Sequence, residues 1–81
     1  MNAKYFENEV VEARRRFNQT FGTQVICNLK LRQAVILNVC WLGVLANQIS
    51  IARDGEKAKP LVKHFIRINN SLNKFFDRNT P

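Results

Sequence analysis

Acidic side chains are scarce in this chain of 81 residues. Six Asp and Glu stand against 13 Lys and Arg, a formal net charge of +7 with a pI near 10.1. Such an excess favours polyanionic partners, whether nucleic acid, an anionic membrane surface or an acidic protein, and is silent on the fold. Histidine is almost absent: His64 stands alone beside Lys63, and a lone helical histidine is ordinarily a boundary residue. The two cysteines, Cys27 and Cys40, have no ligand spacing, and two thiols with one distant histidine argue against zinc and against a disulfide framework. Both sit among apolar neighbours and are expected to be free, buried thiols in a reducing cytoplasm. The three glycines lie far apart, so no Gly-rich loop is available to cradle a phosphate. Glu9 and Glu12 are three residues apart but share a face with arginines, which suits ion pairing better than acid–base chemistry. A non-catalytic protein without metal or cofactor is expected.

Neither an internal repeat nor a low-complexity block is present, and the length fits one domain, residues 1–81, with a small core. The first dozen residues are polar and acidic, unlike the basic start and apolar run of a signal peptide. Charge is unevenly placed: residues 1–12 carry a balance of −2, and residues 13–81 carry +9.

Phe6, Val10, Ala13, Phe17 and Phe21 recur at steps of three and four, one face of a helix over residues 3–21. Its acids gather early and Arg14, Arg15 and Arg16 late, which suits the helix dipole. Gly22 is a plausible stop. In residues 23–29, Thr23 is placed to cap a helix running into the next one. Alternatively, Asn28 caps a helix that starts at Leu29, leaving a separate short turn before it.

The centre of the chain, Gln33 to Ala52, holds no charged residue. A helix from about 24 or 29 to 53 is predicted. Leu37, Trp41 and Val44 point one way, Val35, Val39 and Leu42 another, and Ile36 a third. A helix apolar all round is covered all round or sits in lipid. Gly43 marks a place where another helix can approach closely. Asn38 needs a partner, either in the local backbone or across a helix interface. Asn38, Trp41, Gly43 and Leu45 are the residues expected to meet another subunit. Twenty uncharged residues reach the length of a membrane span. Asn38, Asn47, Gln48 and Gln33 oppose it, and basic residues on both flanks leave no orientation.

Asp54–Gly55 reads as the end of that helix and Glu56 to Lys59 as a charged connector. Pro60 reads as the first turn of a helix over residues 60–77. Leu61, Phe65, Ile68, Leu72, Phe75 and Phe76 make its apolar stripe. Lys63, Arg67, Asn70, Lys74 and Arg78 lie opposite, within about 80° of the helix surface.

The reading that follows is an all-α bundle of three main helices, with a fourth short one if residues 23–29 form their own turn, around a long apolar central helix. Lys63, Arg67, Asn70, Lys74 and Arg78 are the expected contacts to nucleic-acid backbone, DNA or RNA, extended by Arg14, Arg15 and Arg16 and by Lys30 and Arg32. The expected role is a cytoplasmic accessory subunit, in a homo-oligomer or a larger complex, that binds phosphate without sequence specificity. Tyr5 is the one ring left over for base stacking. The alternative is a protein–protein interaction module, or an inhibitor of the kind phages and plasmids encode. A single-span membrane protein ranks below both.

Overall fold

The computed structural model describes residues 3–22 and 28–79. They form three helices, α1 (Ala3–Gly22), α2 (Leu29–Ile51) and α3 (Gly55–Asn79), each packed against the other two. Of the described residues 94% are helical and none is in a strand. The bundle is elongated, 43 × 20 × 16 Å.

Helices α2 and α3 begin where the chain supplies a cap. Asn28 is extended, and its side-chain oxygen accepts from the Leu31 N–H at 3.1 Å. Asn28 is therefore the cap of α2, while residues 23–27 and Thr23 among them lie outside the described residues. At the far end Ala52 turns extended and its N–H reaches Ile49 O, so α2 stops two residues short of the expected 53.

The start of α3 differs from expectation. Residues 56–59 are helical and are not a connector, and Pro60 lies inside the helix. The cause is Asp54. Its carboxylate accepts from the Glu56 N–H at 2.9 Å, and its carbonyl accepts from Ala58 at 3.1 Å. The first satisfies a donor that a helix start otherwise leaves orphaned, and the second is the first i→i−4 bond of α3. A Lys59–Glu56 ion pair adds to the same turn.

The core is one cluster. Phe6, Val10, Ala13, Phe17 and Phe21 of α1 are all buried, as the periodicity predicts. They meet Val35, Val39, Leu42, Leu45, Ala46 and Ile49 of α2 and Phe65, Leu72 and Phe76 of α3. Phe6 and Phe65 pack edge to face at 5.0 Å, and Phe21 stacks on the half-buried Phe75 at 6.1 Å. Polar contacts tie α1 to α3 beside this core. Arg16 donates to Asp77 at 2.5 Å and to Asn73 at 3.3 Å, with its guanidinium over the Phe76 ring. Asn69, buried on α3, donates to Glu9 at 3.5 Å.

Candidate nucleic-acid interface

The third helix presents its cations because its other side is committed. Phe65, Leu72 and Phe76 are buried, which fixes the rotation of α3 on the bundle. Lys63, Arg67, Asn70, Lys74 and Arg78 are all exposed on the remaining face. None of these four cations forms an ion pair among the described residues. From Lys63 to Arg78 the row spans about 22 Å at the helical rise. Lys59, one turn earlier, is paired with Glu56 and so closes the row at its N-terminal end.

The three consecutive arginines of α1 do not extend the row together. Successive helical residues diverge by about 100°, so adjacency in the chain is not adjacency on a surface. Arg16 is tied to Asp77 and Asn73, its side chain only 19% exposed. Arg15 is paired bidentately with Glu12. That hydrogen bond, with the charges of Arg15 and Arg16 behind it, holds the Glu12 carboxyl below the usual carboxylate range, although solvation lost there opposes it. The same contact raises Arg15 further. Arg14 lies along α2, its Nη2 near Gly43. Of the extensions on α2, Lys30 is exposed and Arg32 leans over the Phe17 ring at 5.7 Å.

The residues expected to meet another subunit divide. Leu45 is buried in the bundle's own core and offers no partner surface, which corrects that assignment. Gly43 faces α1, so the helix that approaches it belongs to the same chain. Asn38 is exposed and donates to Ala34 O at 3.0 Å, the local-backbone alternative. Trp41 is exposed, and its indole N–H donates to His64 Nε2 at 2.9 Å, bridging α2 and α3. Periodicity alone had no signal for this pair, since it joins two helices 23 residues apart in the chain. Cys40 is an exposed free thiol, contrary to the expected burial, because its position falls outside the arc of α2 that α1 and α3 cover. Cys27 lies outside the described residues.

Two clefts border these groups. One, between α1 and α2, is lined by Glu7, Arg14, Gly43 and Asn47. The other, between α2 and α3, is a mostly apolar groove of Leu31, Ala34, Ile68 and Phe75 edged by Asn38, Arg67 and Ser71. No three His, Cys, Asp or Glu among the described residues gather into a metal-holding group. Helix α2 is long and apolar enough to cross a membrane by length and composition, with 33% of its most apolar stretch buried in the bundle. No family model, curated protein or solved structure matches this chain.

Proposed function

We propose that the protein is a non-catalytic, cytoplasmic binder of nucleic-acid backbone, acting without sequence specificity inside an assembly. One observation carries this reading: Lys63, Arg67, Lys74 and Arg78 stand exposed in a row, without an ion-pair partner among the described residues, on a helix whose opposite side is locked into the core. A fixed row of cations follows a phosphate backbone without ordering each side chain from scratch. Contacts to phosphate give affinity and register but no base information. With Arg15 and Arg16 engaged inside α1 and with α3, the row on α3 is the centre of the surface and α1 is its margin.

A salt titration tests it. Binding to random-sequence single- and double-stranded oligonucleotides should weaken steeply as salt rises, because each neutralised phosphate releases counterions. Neutralising Lys63, Arg67 and Lys74 together, as K63Q/R67Q/K74Q, should reduce the log–log slope by about 2.7 for duplex and about 2.1 for single strands if all three meet phosphate. Helicity should be unchanged, since all three side chains are exposed. A wild type that binds neither oligonucleotide at low salt, or a triple variant that binds as well as the wild type, overturns the reading.

The second reading, a protein–protein interaction module, is favoured by the exposed apolar residues of α2. After nuclease treatment, recovery of one stoichiometric protein with the wild type and not with a Trp41→Ala variant would support it over the first.

A further inference from the structure

Helix α2 leaves a second apolar face outside the bundle. Leu37 is 66% exposed, Trp41 45%, Val44 44% and Ile51 68%. With Ala34 and Gln48, both also exposed, these residues follow one another at alternating steps of three and four. That is the spacing of a coiled-coil seam, with Ala34, Trp41 and Gln48 at one heptad position and Leu37, Val44 and Ile51 at the other. Lys30 continues the seam one step toward the N-terminus.

We infer that this face binds the same face of a second copy of the chain, with the two α2 helices antiparallel. Size complementarity selects that direction. In parallel, each residue meets itself: Ala34 would face Ala34 across a gap, Trp41 would face Trp41 in one crowded layer, and Lys30 would oppose Lys30. Antiparallel layers pair the two heptad positions with each other. Ala34 then meets Ile51 of the copy, Leu37 meets Gln48, and Trp41 meets Val44, so that the smallest and the largest residue of the seam each face a β-branched partner of intermediate size. The same layers arise twice, because a two-fold interface is self-complementary.

Charge complementarity points the same way. This register carries Lys30 of one copy away from its own counterpart to the α2–α3 turn of the other, where the exposed Asp54 and Glu56 stand between Arg53 and Lys57. The seam and its flanks contain no charge between Arg32 and Arg53, so the net +7 places no like charges inside the contact. Arg32 is turned away toward Phe17 on α1. The indole N–H of Trp41, which would be costly to bury unpaired, already has its acceptor in His64 of the same chain. The inference stands whether or not the α3 row meets phosphate.

The test is the mass of the full chain in solution, by sedimentation velocity or light scattering at tens of micromolar. The wild type should give twice the chain mass of 9.4 kDa. Val44→Asp should give the single-chain mass with wild-type helicity, since Val44 lies outside the core. Lys30→Glu, which sets like charge against Asp54 and Glu56 of the copy, should raise the dimer dissociation constant at least tenfold. A wild type that stays monomeric through 100-fold dilution from millimolar, or a dimer indifferent to Val44→Asp, overturns the interface. A dimer indifferent to Lys30→Glu overturns the antiparallel register. Recovery of a heterologous protein on this face by a wild type that is monomeric alone assigns the face to another occupant.

Discussion

At Gly43 the local physics favours a larger residue. A Cβ built there would sit 3.6 Å from Arg14 Nη2 and 3.7 Å from Val10 Cγ1, both ordinary van der Waals distances. The neighbours are side chains on α1, and nothing in the position requires glycine. Alanine in a helix interior is favoured over glycine by about 1 kcal/mol. Gly43→Ala should therefore stabilise the bundle by roughly that amount, raising the melting temperature by about 4–8 °C for a domain of this size. A thermal melt followed by circular dichroism checks it, and a lower midpoint would show that α1 and α2 are closer than these distances. A pH effect belongs to the same scale. Glu12 is held below its ordinary value by Arg15, so its pairing contributes above the unfolded carboxylate range and is lost as pH falls through the depressed folded value. Both side chains are solvated, so the effect is small: Glu12→Gln should lower the neutral plateau of a pH–stability profile slightly and leave its acid end unchanged, which flattens the acid limb.

Among the elements, α3 contains a local conflict. With Asp54 as cap and Gly55 first in the helix, Pro60 stands where an N–H would pair with the carbonyl of Glu56. Proline removes that bond and crowds that carbonyl. The segment 55–59 is then held mainly by the Asp54 cap and the Lys59–Glu56 pair. Pro60→Ala restores the bond, offset by about 0.4–1 kcal/mol of added freedom in the unfolded chain, for a net gain of about 2 kcal/mol. Hydrogen exchange should show amides 58, 59, 61 and 62 slowed in the variant, and unchanged rates would mean that the first turn is already secured. This turn also shows why α3 was only partly legible in the sequence. Residues 56–59 carry no apolar periodicity, so the helix start depends on a cap whose partner is set by backbone geometry. In α1 every residue of the apolar row is buried, and that row was legible from spacing alone. In α2 the two faces, Leu37–Trp41–Val44 and Val35–Val39–Leu42, were separable by angle. Both are apolar, however, so nothing in the pattern said which one faces inward, and Leu45 was misplaced for that reason. The shared face of Lys63, Arg67, Lys74 and Arg78 was legible because their spacing places them in one arc of α3, whereas Arg14 to Arg16, neighbours in the chain, leave α1 in different directions and meet different partners.

For the whole molecule the relevant fact is a single core shared by three helices. No pair of helices closes it: Phe6 of α1 packs on Phe65 of α3, and Leu42 of α2 is fully buried in the same cluster. A small domain with one such core unfolds in one cooperative step. Its total stability scales to about 4–12 kcal/mol for 81 residues. Trp41, the sole tryptophan, lies on α2 and is hydrogen-bonded to α3, so its fluorescence reports the α2–α3 contact independently of helix content. Urea transitions followed by Trp41 emission and by circular dichroism should therefore coincide. Phe65→Ala should lower both midpoints equally, with a loss of about 3–5 kcal/mol from the vacated aromatic volume. That is a large fraction of the whole, so the variant should be measured in cold buffer or with a stabilising osmolyte. In the single-chain Val44→Asp variant, where the copy contributes nothing to Trp41, a Trp41 transition at clearly lower urea than the loss of helix would mean that α3 separates from α2 while helices persist. The row of cations on α3 would then be attached to a movable element, and phosphate would bind it with an ordering cost that the packed bundle has already met.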